Sequence, residues 1–266
     1  MRQIILPATD LKVSRFVFGT ASLHHLGNAS AQAAHLELAA GAGFTHFDTA
    51  PLYGFGGAES MLGAVFGQDQ GITITTKVGL YPPGGANQGR LTMLARKAGG
   101  KLWPTLSRAV VDLSVARARL SLEQSLRRLR RCDVDLLMLH DPAPDLLQTD
   151  EWQRWSEDEK DRVRYFGVAG PAARLQPILE SEGPFAQVTQ VRDGLGTREA
   201  DVITSLGRPL QLTYGYFSTD VGELSGAEIV AGALERNRTG AILVYTSLSS
   251  RVTAFSDAAE RERRSA

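Results

Sequence analysis

The chain has 266 residues, of which 43% are hydrophobic and 22% charged, inside the range of soluble globular proteins that can bury a sizeable core. Its 29 Lys and Arg balance its 29 Asp and Glu, so it lacks the basic field that nucleic acid or an anionic membrane usually requires, and a small-molecule partner is expected. The single cysteine, Cys132, excludes an intramolecular disulfide and a Cys-cluster metal site, so redox chemistry would have to be borrowed from a cofactor.

Along the chain, short apolar and β-branched runs alternate with helix-period segments, the pattern of βα units around a parallel sheet. Residues 1–15 predict a hairpin, turning at Pro7-Ala8-Thr9-Asp10, that closes the bottom of a barrel. Eight strands follow over 15–19, 45–48, 72–77, 134–140, 163–168, 187–191, 210–214 and 241–245. Helices are predicted over 31–42, 59–66, 150–161, 171–182, 227–237 and 249–261. A seventh starts near Ser121, where Ser121 and Gln124 have capping-box spacing and Leu122, Leu126 and Leu129 share a face. Arg127, Arg128, Arg130 and Arg131 on its other side read as a solvated face.

Residues 80–119, with Pro82-Pro83-Gly84-Gly85 and Trp103-Pro104, form a long irregular segment expected to shape part of a substrate mouth. No Pro/Gly/Ser-rich linker divides the chain, so residues 1–266 are expected to fold as one (β/α)₈ TIM barrel domain, of class α/β. The first ten residues carry no basic segment followed by a long apolar run, and no stretch reaches the roughly 18 apolar residues of a membrane helix. A cytoplasmic protein without membrane partners is expected.

In such a barrel the active site lies at the C-terminal ends of the strands. Asp48 ends the second strand, Tyr53 follows five residues later, Lys77 ends the third strand and His140 the fourth. Reduction of a carbonyl by hydride needs a proton donor, because negative charge accumulates on the oxygen. Tyr53 can be that donor, with Lys77 lowering its pKa, Asp48 holding Lys77 charged, and His140 fixing the substrate oxygen. Each residue alone is as easily a loop cap, a rim charge or a core histidine. Their joint occurrence at the ends of three successive strands favours chemistry.

These residues resemble a family, the aldo-keto reductases. The segment Phe47-Asp48-Thr49-Ala50-Pro51-Leu52-Tyr53-Gly54, with Glu59 and Leu62-Gly63, resembles that family's strand-two motif; Thr76-Lys77-Val78-Gly79 resembles its lysine motif and Asp135–His140 its histidine motif. The resemblance implies a catalytic tetrad at Asp48, Tyr53, Lys77 and His140, and it includes the opening Phe18-Gly19-Thr20, which places Gly19 and Thr20 beside the coenzyme with Asp48. It also implies NADP or NAD as cofactor. Gln190 resembles the residue that bonds the nicotinamide carboxamide, and Tyr214 the stacking aromatic, with Tyr216 competing for that role. Ser249, Ser250 and Arg251 resemble the helix start that meets a 2′-phosphate, which inclines the cofactor toward NADP; a plain serine cap with an exposed arginine fits them equally.

Two departures stand out. Ala169 replaces the family's usual serine in Gly167-Val168-Ala169-Gly170, removing one carboxamide hydrogen bond, and residues 217–240 are short for a cofactor-covering segment. No Gly-x-Gly-x-x-Gly fingerprint follows a strand, and the adjacent His24 and His25 lack a third ligand, so no metal is expected. His24, Phe55, Tyr81 and Trp103 are expected to line the substrate pocket. The function that results is an NAD(P)-dependent oxidoreductase moving hydride between nicotinamide and a carbonyl or hydroxyl carbon. The motifs look most like the branch with L-galactose, L-fucose and aldose 1-dehydrogenases, which makes a carbonyl compound or sugar the substrate. The alternative is a coenzyme-binding regulatory or scaffold barrel with little turnover; a phosphate-handling isomerase or aldolase lacks its glycine-rich loop.

Overall fold

The computed structural model describes residues 1–84, 109–142, 150–181, 183–218 and 222–265. Two short antiparallel strands, β1 (Gln3–Ile5) and β2 (Lys12–Ser14), open the chain. Eight parallel strands then close into a barrel: β3 (Phe16–Gly19), β4 (His46–Asp48), β5 (Thr73–Val78), β8 (Val134–His140), β9 (Val163–Gly170), β10 (Val188–Arg192), β11 (Leu212–Tyr214) and β12 (Ala241–Val244). All eight predicted strands are present, and the order around the barrel is the order along the chain.

The opening hairpin plugs the barrel. Leu6, Leu11 and Val13 are buried with Val17, Leu136, Met138, Val188, Leu212, Ala241 and Leu243, which point into the barrel from its strands. Successive side chains on a strand face opposite ways, so the residues two apart from these plugging positions also face inward, nearer the C-terminal ends. Gly19, His140, Gln190 and Tyr214 are such residues, and Asp48, Lys77 and Ala169 face the same cavity at those ends. The outward-facing set, including Phe18, Phe47, Ile74, Leu137, Leu139, Phe166 and Val191, packs under the helices.

The helices among the described residues are α1 (Ala29–Gly41), α2 (Gly57–Phe66), α3 (Val115–Leu129), α4 (Asp150–Asp158), α5 (Ala172–Glu180), α6 (Asp201–Ser205), α7 (Gly226–Arg236) and α8 (Ser249–Ser265). Two of these helices and one strand pair differ from expectation. The helix expected to start near Ser121 begins at Val115, where the Ser114 hydroxyl accepts from Arg117 N–H; Ser121 is buried inside it. The short α6 has no sequence periodicity long enough to announce it. In the irregular segment, Leu80–Tyr81 (β6) pairs antiparallel with Val110–Val111 (β7), while Trp103 lies outside the described residues.

The arginine run on α3 is not one solvated face. Arg127 is exposed, but Arg128 is buried, its Nε donating to Glu59 Oε2 at 2.7 Å. A glycine makes this contact possible: a Cβ on Gly63 would lie 2.1 Å from the Arg128 carbonyl oxygen, so only glycine lets α2 lie against the end of α3. Glu59 Oε1 in turn accepts from Thr76 Oγ1 at 2.6 Å. The Arg128–Glu59–Thr76 chain thereby braces β5 next to Lys77.

Candidate active site

A cavity of about 340 Å³ opens where the barrel strands end. Gly19, Asp48, Lys77, His140, Ala169, Gln190, Tyr214 and Leu243 line it, so every barrel strand contributes, and Tyr53 enters from the loop after β4. That loop is sharply turned, with Gly54 at φ 59° and Phe55 at φ 58°, left-handed values that cost a non-glycine residue some strain. Tyr53 stands at the head of this turn.

Lys77 Nζ donates to Asp48 Oδ1 at 2.6 Å and to the Thr49 carbonyl at 3.0 Å. Register explains the pairing: Asp48 sits opposite Thr75 on β5, and Lys77 is the next residue on the same face. Burial pushes the Asp48 carboxyl up and the Lys77 ammonium down, and the charge of each partner opposes the shift in the other. The same ammonium lies 5.1 Å from the centre of the Tyr53 ring, and the His140 ring stands edge-on to Tyr53 at 6.1 Å. The structure therefore brings Asp48, Tyr53, Lys77 and His140 into one cavity.

The protonation states follow from burial. Burial, with the Lys77 charge adding to it, pushes His140 down to about 3, so its imidazole is neutral near pH 7. Burial and then the Asp48 charge push the Tyr53 phenol well above its usual range. This differs from the expected acidification by Lys77: the ammonium is spent on Asp48 and the Thr49 carbonyl, and the close pair shows the ring little net positive charge. Tyr53 is a protonated phenol at neutral pH.

The expected coenzyme residues divide. Gly19, Gln190 and Tyr214 line the cavity. Thr20 is buried with its hydroxyl donating to the Asp48 carbonyl at 3.0 Å, so it ties β3 to β4. Tyr216 is removed from competition with Tyr214, because it is buried and donates to Asp193 Oδ2 at 2.9 Å. Ser249, Ser250 and Arg251 are exposed at the start of α8 and away from the cavity lining. Arg251 instead borders a wider apolar groove of about 870 Å³ between α7 and α8. That groove holds none of Asp48, Tyr53, Lys77 and His140, all of which line the smaller cavity.

The expected substrate residues stand further off. His24 lies tilted against His25, ring centres 4.1 Å apart, beside Gly54, and neither His24 nor Phe55 lines the cavity. Tyr81 is turned inward under α3, with the Arg117 guanidinium 4.7 Å above its ring, and its neighbour Leu80 reaches the cavity instead. Asp141, Ser218 and Tyr245 line the cavity without having been expected. Tyr245 follows the last residue of β12, a strand-end position like those of the tetrad.

Several polar atoms in this cavity are buried yet lack hydrogen-bond partners among the described residues: Asp48 Oδ2, His140 Nδ1, Asp141 Oδ1 and Gln190 Oε1. Buried polar groups are normally satisfied, so an unsatisfied set around one cavity fits a polar ring bearing an amide together with a small oxygen-bearing substrate. Among the described residues no group of three or more His, Cys, Asp or Glu is arranged to hold a metal ion, and no helix is long and apolar enough to cross a membrane.

The sequence profile described as "Aldo/keto reductase family" matches residues 15–192. A Pseudomonas aeruginosa protein assigned to the aldo-keto reductases has the same fold, at TM-score 0.75 and 21% identity, with 97% of this chain and 94% of that chain covered. An aldo-keto reductase from Bacillus halodurans, in its holo form, superimposes at TM-score 0.74 and 19% identity over 99% of this chain and 94% of that chain. A glycerol dehydrogenase from Gluconobacter oxydans does so at TM-score 0.69 and 19% identity over 99% and 93%. A comparison with curated proteins gives no match.

Proposed function

Because the chain belongs to the aldo/keto reductase family, whose members carry out NAD(P)-dependent oxidoreduction, we propose that it moves hydride between a nicotinamide coenzyme and a carbonyl or hydroxyl carbon, with Tyr53 as the proton-handling group. The observation that carries this reading is the placement of Tyr53, His140 and the Lys77–Asp48 pair around one cavity. Gln190 and Tyr214 would hold the coenzyme's ring, which supplies or accepts the hydride.

The chain's own groups then divide the remaining work. Tyr53 holds its proton at neutral pH and delivers it to the substrate oxygen as negative charge grows there. Asp48 keeps the buried Lys77 ammonium charged and fixed beside the phenol, with Nζ 5.1 Å from the ring centre. Neutral His140 supplies a hydrogen bond that orients the substrate oxygen without adding a competing acid. In the reverse direction the tyrosine accepts the proton. The cavity's size of about 340 Å³ and the polar groups Asp48, Tyr53, Lys77, His140 and Gln190 in its wall favour a small aldehyde or a sugar over a long apolar substrate, in keeping with the resemblance to aldose dehydrogenases.

Arg251 at the start of α8 supports a preference for NADP, since a helix start with an arginine favours a 2′-phosphate. Calorimetric titration with NADPH and NADH tests both parts. Tighter binding of NADPH that is lost in Arg251→Ala supports the assignment, equal binding of the two coenzymes contradicts the NADP preference, and absence of binding to either by folded protein contradicts the coenzyme reading.

A further inference from the structure

The cavity wall formed by the ends of β8, β9 and β10 has two buried acceptors and no matching donors. Gln190 Oε1 and Asp141 Oδ1 both line the cavity and accept no hydrogen bond among the described residues. Between them β9 ends in Ala169 and Gly170, which offer no polar side chain. Ala169 is in register with Gln190 on one side and with His140, the neighbour of Asp141, on the other.

Asp141 reaches this wall through a left-handed backbone, φ 53°, a conformation that aspartate and asparagine tolerate better than most residues. Its N–H donates to the Ala169 carbonyl at 2.7 Å, and Oδ2 pairs with Arg174 on α5 at 2.5 Å. With those two contacts fixed, Oδ1 faces Gly170: a Cβ built on that glycine would lie 3.4 Å from Oδ1 and 3.5 Å from Asp141 Cα. The carboxylate oxygen borders the space that a polar side chain at position 170 would occupy.

We propose that Asp141 is a coenzyme-binding residue whose Oδ1 accepts a hydrogen bond from the carboxamide NH₂ of the nicotinamide, an assignment that rests on the coenzyme reading above. A primary amide presents two N–H donors, and this wall presents two orphaned acceptors, Gln190 Oε1 and Asp141 Oδ1. The absence of a side-chain acceptor at Ala169 and Gly170 is thereby made good from the end of the neighbouring strand. Arg174 acts as a positioning residue, holding Oδ2 so that Oδ1 stays on the cavity side.

The test compares NADH with its 3-acetylpyridine analogue, in which a methyl group replaces the amide NH₂, by measuring Kd for each on folded wild-type protein and on Asp141→Gly. Glycine accepts the left-handed conformation without strain, so the substitution removes the Asp141 side chain and its pair with Arg174 without straining the backbone. The wild type should prefer the carboxamide by about tenfold, and Asp141→Gly should lose most of that preference while binding the analogue within about twofold of wild type. Arg174→Ala, which keeps Asp141 but frees its carboxylate, should shrink the preference by about threefold and gives the same readout should the glycine variant fail to fold. Equal weakening of both ligands, or an unchanged preference, would overturn the assignment of Asp141 alone. A wild-type protein that binds neither ligand would overturn the coenzyme reading and this assignment with it.

Discussion

Lys77 and Asp48 form a buried ion pair, 2.6 Å between Nζ and Oδ1, with both side chains almost fully excluded from solvent. A pair of this kind is needed for its chemistry more than for its net stabilisation, since desolvation offsets much of the attraction. Breaking it is another matter. Lys77→Met should destabilise the fold by about 3–5 kcal/mol by leaving a buried carboxylate unpaired, and the double variant with Asp48→Asn should recover most of that loss while remaining inactive. Urea denaturation of the two variants separates structural from chemical roles; a double variant no more stable than the single one would contradict this account.

Tyr53→Phe removes one hydroxyl and no packing surface. Turnover should fall about 10²- to 10⁴-fold, the usual contribution of a positioned acid–base group, while coenzyme Kd stays within about twofold. A fall in coenzyme affinity matching the fall in rate would assign Tyr53 to binding instead.

The pH profile follows from two displaced titrations. His140 is pushed down to about 3 and Tyr53 well above its usual range, so neither changes charge between about pH 5 and about pH 9. The dependence of kcat/KM on pH should be flat over that interval in His140- and Tyr53-dependent turnover. An acid limb near pH 6.5 that disappears in His140→Asn would show that His140 titrates normally.

Stability has its own pH dependence. His46 is buried between the hydroxyls of Thr73 and Thr75, at 2.7 and 2.8 Å, and burial, with the Lys77 charge, pushes it down to about 3. In the unfolded chain it titrates near 6.5. Between those values the unfolded chain binds a proton that the fold excludes, so stability is lost as pH falls below about 6.5. Denaturation midpoints measured from pH 7 to pH 5 should fall for the wild type and fall less steeply for His46→Gln; identical slopes would contradict the assignment.

The barrel was legible because its signal is repeated. Eight apolar runs separated by longer segments, several with a polar residue at the strand end, place Asp48, Lys77, His140, Gln190 and Tyr214 on one rim. What escaped was set by contacts between distant segments. Ser121 has a good cap spacing, but Ser114 caps the helix because Leu113 and Val115 are drawn into the core. Tyr81 looks like a pocket aromatic, yet β6 pairs with β7 and turns it under α3. Asp141 carries no motif of its own, and only its positive φ and orphaned oxygen mark it.

Arg128 departs furthest from its sequence pattern, since four arginines in a five-residue span look like a solvated surface. Its burial against Glu59 makes the pair a brace for β5, through Thr76. Arg128→Ala should cost about 3–5 kcal/mol of stability, whereas Arg127→Ala, at an exposed side chain paired only loosely with Glu123, should cost almost nothing. Equal effects would place Arg128 at the surface.

The central claim is that this cavity transfers hydride with Tyr53 handling the proton. Its most direct test is coenzyme oxidation or reduction by wild type and Tyr53→Phe, followed across a panel of short aldehydes and aldoses with both NADPH and NADH. The account predicts turnover by the wild type on at least one member of the panel, and a Tyr53→Phe protein that binds coenzyme but retains under about 1% of that rate. A Tyr53→Phe protein as fast as wild type would contradict the proton-handling role, and a wild type that binds coenzyme without turning over any member would point to a barrel that binds its cofactor without using it.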